Sequence, residues 1–373
     1  MAINNAKINF QKLAKFAGVA INGDRPFDIQ IHNENSYERI LQGGALALGE
    51  SYMDGWWDCR SLDQLINRFL QARLEDRVKK DWKLIWHILQ SRIFNLQKSS
   101  RAFQVGERHY DIGNDFYQQM LDKRMLYTSA YWKNAKDLDE AQEAKLELVC
   151  RKIGLQPGMT VLELGCGWGS FAKYAAEKYG AKVTGVTVSK EQVELGKEMC
   201  NGLPVEIKLQ DYRNVSGKYD RVISIGIMEH VGHKNYRTYM EIVNRTLKDD
   251  GIALIHTIGS NISATTANPW TTKYIFPNSM LPSIAQIGRA MEGLFVMEDW
   301  HNFGPDYDKT LMAWYNNFEM AWPDFKDKYG ECFYRMWCYY LLSSAGAFRS
   351  RHIQLWQIVM TKPGRGQPNC RFS

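Results

Sequence analysis

Residues 159–180 read MTVLELGCGWGSFAKYAAEKYG. A short apolar run ends in glycines and passes directly into a stretch with helical apolar spacing. The alternation then repeats. AKVTGVTVS (181–189) leads into KEQVELGKEMC (190–200), and PVEIKLQDYR (204–213), YDRVISIGIMEH (219–230) and GIALIHTIGS (251–260) continue the series. HIQLWQIVMTK (352–362) is a late alternating strand. Strand and helix taking turns at this spacing predict an α/β fold built on a doubly wound, mostly parallel sheet. Such sheets bind ligands at the carboxyl ends of their strands, and each polar cluster of this chain falls there.

The chain has 373 residues, 45% apolar and 24% charged. That length exceeds one ordinary core and predicts a large domain with a smaller one. No apolar run approaches the roughly 18 residues of a membrane-spanning helix, and the polar N-terminus does not read as a signal peptide. A cytoplasmic protein is expected. The seven cysteines are scattered and form no CxxC, so reduced thiols are expected rather than a disulfide framework. Residues 1–100 read as mainly helical, with Ser61 as the N-cap of SLDQLINRFLQARLEDRVKK and with LALGESYMDGWWDC (46–59) as turns and short helix. The net charge is +6, and seven Lys or Arg between Arg77 and Arg101 face one acid, Asp81. Trp82, Ile85, Trp86, Leu89 and Ile93 interleave with them at helical spacing. Such a basic amphipathic helix suits an anionic lipid surface; it equally suits a helix that packs its apolar stripe on the main domain. The modest charge and the lack of a recognition motif argue against nucleic acid.

Glu163, Gly165, Gly167 and Gly169 occupy the turn between the first strand and its helix. Glycines let the backbone approach a ligand, and the helix N-terminus offers free N–H groups. The spacing is G-x-G-x-G, whereas dinucleotide sites use G-x-G-x-x-G and an acid about 20 residues later for the ribose. Here Thr187, Ser189 and Gln192 stand in that region, and the last two also fit a capping box. Asp211 follows the next strand, where it can accept from an adenine amino group. Together these favour S-adenosylmethionine over a nicotinamide cofactor.

MEHVGHKNY (228–236) gathers Glu229, His230 and His233. A metal site is disfavoured, because a glycine separates the histidines and HKNY reads as loop. His230 is expected to hydrogen-bond locally, and His233 to be solvated or near lipid head groups. Glu229 alone also suits an N-cap, His256 a satisfied core histidine, Tyr307 packing, and His301 a structural role.

EHVGHKNY (229–236), HTIGS (256–260), KYIFPN (273–278), EDWHNFGPDYDKTLMAWY (298–315), AGAFRSRHIQLWQ (345–357), LALGESYMDGWW (46–57) and FNLQ (94–97) resemble, over nearly the whole length, the bacterial cyclopropane-fatty-acyl-phospholipid synthases. The resemblance implies a class I methyltransferase, Rossmann-like fold. It implies a small, mainly helical N-terminal domain (1–100) for membrane contact and dimer support, and a catalytic domain (101–373) with an acyl-chain-binding insertion. It implies a homodimer acting at the inner, anionic face of the cytoplasmic membrane. There a methylene from S-adenosylmethionine crosses the cis double bond of unsaturated phospholipid chains. A bound bicarbonate ion is then the base, held by Glu229, His256 with the backbone at Ile258, and Tyr307. The implied cofactor residues are Tyr127, Thr128, Glu163, Gly165, Cys166, Gly167, Thr187, Val188, Ser189, Gln192, Asp211 and Tyr212. Ser129 and Ser344 stand where the family usually has cysteines, including the one often designated catalytic; serine at both argues against a covalent thiol step and leaves hydrogen-bonding or packing roles. Methyl branching of the same alkene, methyl transfer to a small aromatic substrate, and a lipid-binding scaffold are the alternatives.

Overall fold

The computed structural model describes residues 2–74, 112–266 and 268–372. The basic stretch 77–101 and FNLQ lie outside the described residues. The chain divides into two units: Met1–Met120, Asn268–Pro277 and Leu311–His352 form the first; Leu121–Ala267, Asn278–Thr310 and Ile353–Ser373 form the second.

In the first unit, strands β1 (Gln30–Ile31) and β2 (Trp57–Asp58) pair antiparallel beside helices Ala2–Phe16, Asn35–Met53 and Leu62–Gln71. LALGESYM is therefore helix through to Met53, not turns. A Cβ on Gly49 would come within 2.4 Å of the Trp270 ring, so the bare glycine lets an indole close on the helix. Ser61 stands at the N-cap position of Leu62–Gln71 but makes no side-chain capping bond. That helix is held by burying Leu62, Leu65 and Ile66, worth about 1.5–3 kcal/mol per fully buried side chain. The long helix Gly304–Arg349 is broken at Gly330 (φ 75°, ψ 170°). Its first-unit part supplies Phe318, Phe325, Tyr329, Phe333 and Trp337, which all pack edge-on around the buried Phe116. Aromatic pairs in this geometry add about 0.5–1.5 kcal/mol beyond area burial.

The second unit is built on a seven-stranded sheet, β3 (Thr160–Leu164), β4 (Lys182–Thr187), β5 (Val205–Leu209), β6 (Tyr219–Ile225), β7 (Leu247–Ser260), β8 (Val296–Asn302) and β9 (Ile353–Thr361), in the order β5-β4-β3-β6-β7-β9-β8. The first five strands of that order run parallel; β9 runs antiparallel to both β7 and β8. Successive residues feed opposite faces, as the pleat requires. Val161, Ile223 and Leu254 share a cluster with Leu146, Val149, Phe171 and Ala175 from helices Leu138–Lys152 and Ser170–Tyr179. Leu162, Val222 and Ala253 join Tyr239, Met240 and Met291 from helices Tyr236–Thr246 and Ile284–Met291. This is the doubly wound, mostly parallel arrangement that the strand and helix alternation predicts, and it fits the class I methyltransferase fold that the resemblance implies. Strand β8 was not legible as a strand. Among the described residues no cysteine is in a disulfide, and no helix is long and apolar enough to cross a membrane.

Candidate active site

The sharp turn after β3 is closed by the end of β4: the Val186 carbonyl accepts from the N–H groups of both Gly165 and Cys166, at 2.9 and 3.0 Å. Gly165 has φ +73°, and a Cβ there would meet Ile227 Cδ1 at 2.1 Å, so any side chain here is strained and Ile227 must shift. Glu163, next to last in β3, is 3% exposed, and its Oε2 is buried without a hydrogen-bond partner. Burial pushes its carboxyl well above the ordinary range, against the pull of Lys145. Lys145, fully buried on helix Leu138–Lys152, donates to Thr128 Oγ1 at 2.9 Å and is pushed below the usual lysine range by that burial. Sequence reasoning missed it, because AQEAKLELVC looks like an ordinary charged helix.

The remaining implied cofactor residues lie at neighbouring strand ends. Thr187 closes β4 and donates to Gln192 Oε1 at 2.6 Å. Ser189 caps its helix by accepting from the Gln192 N–H at 3.2 Å. Gln192 therefore serves Thr187 with its side chain, where a full capping box would have it return to Ser189. Val188, between Thr187 and Ser189, is 75% exposed. Asp211 accepts from the Arg213 side chain and backbone, which hold its carboxyl below the usual range. Tyr212 packs edge-on against Tyr239.

At the end of β6, Ile225 pairs with His256 of β7, and the Gly226 N–H donates to the His256 carbonyl at 2.9 Å. The short helix Met228–Val231 then carries Glu229 into the interior, 6% exposed. Its Oε1 accepts from the Ile258 N–H at 2.6 Å, while Oε2 is buried without a partner. Burial pushes this carboxyl up to about 7, opposed by the Ile258 hydrogen bond. His256 is 1% exposed with Nε2 buried and unpartnered. Burial, reinforced by Lys145 and Lys152, pushes its imidazole far below the ordinary value, so the ring is neutral. Phe303 lies edge-on to it at 5.7 Å.

Tyr307 is buried in the first turns of helix Gly304–Arg349. Thr310, one turn on, fastens the segment carrying Tyr127 to Ser129: its Oγ1 accepts from the Ala130 N–H at 3.1 Å and the Trp132 indole N–H at 2.9 Å. Asp306 adds a bond from the Trp132 N–H at 3.3 Å. Ser129 is buried and donates to the Ala130 carbonyl at 3.0 Å, a hydrogen bond internal to the loop. Ser344 belongs to the first unit, apart from the other candidates in the division of the chain. His230 is exposed and His233 half-buried; among the described residues, no group of three His, Cys, Asp or Glu is placed to hold a metal. His301 packs edge-on to Tyr131 and against Phe303, and burial pushes its imidazole down to about 4.

A family model described as mycolic acid cyclopropane synthetase matches residues 97–358. The cyclopropane-fatty-acyl-phospholipid synthase of Escherichia coli K12 is 52% identical over 351 residues, covering 94% of this chain and 92% of that protein. Sphingolipid C9-methyltransferase A of Emericella nidulans is 36% identical over 383 residues, covering 94% of this chain and 71% of that one. The crystal structure of a mycolic acid cyclopropane synthase complexed with SAH and CTAB superposes with a TM-score of 0.64 at 31% identity, covering 68% of this chain and 96% of that one. The strand order, the glycine turn and these matches lead to one conclusion: the chain belongs to the cyclopropane synthase family of S-adenosylmethionine-dependent methyltransferases.

Proposed function

We propose that the protein moves a methylene unit from S-adenosylmethionine across the cis double bond of unsaturated acyl chains in membrane phospholipids, with a bicarbonate ion as general base. The observation that carries this reading is a pair of atoms. Glu229 Oε2 and His256 Nε2 are both buried and unpartnered; His256 lies on β7, and Glu229, on the short helix after β6, is tied to β7 by the Ile258 N–H. Buried polar atoms without partners cost about 1–3 kcal/mol each, and a small anion with one hydroxyl satisfies both.

When bound, S-adenosylmethionine supplies an electrophilic methyl group that an alkene attacks without a protein nucleophile. The chain must cradle that cofactor, exclude water and hold a base near a carbon acid. Tyr127, Thr128, the turn Glu163 to Gly167, Thr187 to Gln192, Asp211 and Tyr212 are proposed to line the cradle. Thr128 is braced by Lys145. Glu229 Oε2 would accept from the hydroxyl of bicarbonate, while His256 Nε2 and the Tyr307 hydroxyl would donate to its other oxygens. Since the Ile258 N–H already serves Glu229, its part is to aim that carboxylate. Ser129 and Ser344 are assigned no covalent step.

A homodimer working at the anionic inner face of the cytoplasmic membrane, with residues 1–100 in membrane contact and 101–373 in catalysis, belongs to the same proposal. Methyl branching of the same alkene is the second reading, favoured by the similarity to a sphingolipid C9-methyltransferase. Incubation of the purified protein with S-adenosylmethionine and vesicles of unsaturated phospholipid, followed by fragmentation mass analysis, separates them. Gain of one CH₂ per chain with a ring signature is expected; a branched product selects the second reading, and no mass gain overturns both.

A further inference from the structure

We infer that Gln357 is a positioning residue for the reaction, fixing His256 as the tautomer that carries its proton on Nε2. In the antiparallel register of β7 and β9, Gln357 stands directly opposite His256, and in that of β9 and β8 directly opposite His301. Directly opposed residues share a face of the sheet, so the three side chains form one row across three strands. Gln357 is fully buried, and its amide nitrogen lies 3.4 Å from His256 Nδ1.

An amide nitrogen can only donate, so Nδ1 is the acceptor. The ring is neutral, held so by burial and by Lys145 and Lys152. A neutral imidazole whose Nδ1 accepts has its one proton on Nε2. That is the atom left without a partner, and it is turned by the same bond into a donor for an anion. Phe303, edge-on to His256 and packed on His301, limits rotation of the row. A second partner of this kind orients an imidazole much as outer residues orient a metal-ligating histidine. Helical spacing and strand alternation do not reveal it, since the two residues are 101 positions apart.

The inference rests on the proposed role of His256 as a donor to bicarbonate, but the tautomer itself does not. Protein labelled with ¹⁵N-histidine, with His256 assigned by its loss in His256→Gln, reports the protonated nitrogen in long-range ¹H–¹⁵N spectra. The wild type is expected to show the Nε2-protonated form. Gln357→Leu is expected to mix the tautomers and lower turnover roughly 10- to 100-fold, with S-adenosylmethionine affinity by calorimetry unchanged. Gln357→Glu, whose carboxylate accepts from Nδ1, is expected to move the proton onto Nδ1. An Nδ1-protonated wild type overturns the inference and leaves the bicarbonate reading standing. An Nε2 proton that Gln357→Leu redistributes without any loss of turnover overturns the positioning role. Bicarbonate dependence that survives in His256→Gln overturns the underlying reading instead.

Discussion

At residue 229, burial and chemistry pull against each other. The Glu229 carboxyl is raised from 4.5 to about 7 by desolvation, so the folded chain binds more protons than the unfolded chain between those values. Its contribution to stability is therefore complete below pH 4.5 and declines as pH rises towards 7. Glu229→Gln keeps an acceptor for the Ile258 N–H but cannot ionise. It is expected to be more stable than the wild type at pH 8, by on the order of 3 kcal/mol, with no such gain at pH 4. It should bind S-adenosylmethionine normally and fail to close the ring. Urea denaturation at the two pH values checks this, and a variant no more stable at pH 8 contradicts it. Glu229, His256 and Tyr307 were assigned only through the resemblance of their motifs to the family, and their role stays a proposal. Lys145, Thr310 and Gln357 could not be named from the sequence, because their roles arise only when packing brings distant positions together. Lys145 meets Thr128 across 17 residues, and Thr310 meets Ala130 across 180.

The elements divide in the same way. Strands β3 and β6 were readable because a parallel strand buried on both faces is a near-continuous apolar run, and the edge strand β5 by its alternation, with Ile207 turned inward. Strand β8 was not. It is an edge strand paired only to β9, and Val296 and Met297 are exposed while Glu298 is buried, which inverts the usual apolar-in pattern. LALGESYMDGWWDC reads as turns and short helix, but its first eight residues close the long helix Asn35–Met53, where Gly49 admits the Trp270 ring. The turn after β3 carries the sharpest backbone demand. Gly165→Ala is expected to lose roughly 1–3 kcal/mol from strain at positive φ and contact with Ile227. Affinity for S-adenosylmethionine should fall with it, as calorimetry and denaturation melts can measure. Wild-type stability and affinity together would refute the proposed cradle geometry.

At the scale of the molecule, the chain leaves its first unit at Met120 and re-enters it twice, over 268–277 and 311–352. No composition shift marks those returns, because the helix begun at Gly304 simply continues through one of them. The net charge of +6 suits an anionic surface without defining where it docks. A neutral imidazole and a perturbed carboxyl, each buried with an unpartnered atom, are the proposed holders of one small anion. The most direct measurement is the rate of ring formation in unsaturated phospholipid vesicles against added bicarbonate, in thoroughly degassed buffer. The expected result is a rate that rises from near zero and saturates in the wild type, with no rise in Glu229→Gln. A rate independent of bicarbonate contradicts the account.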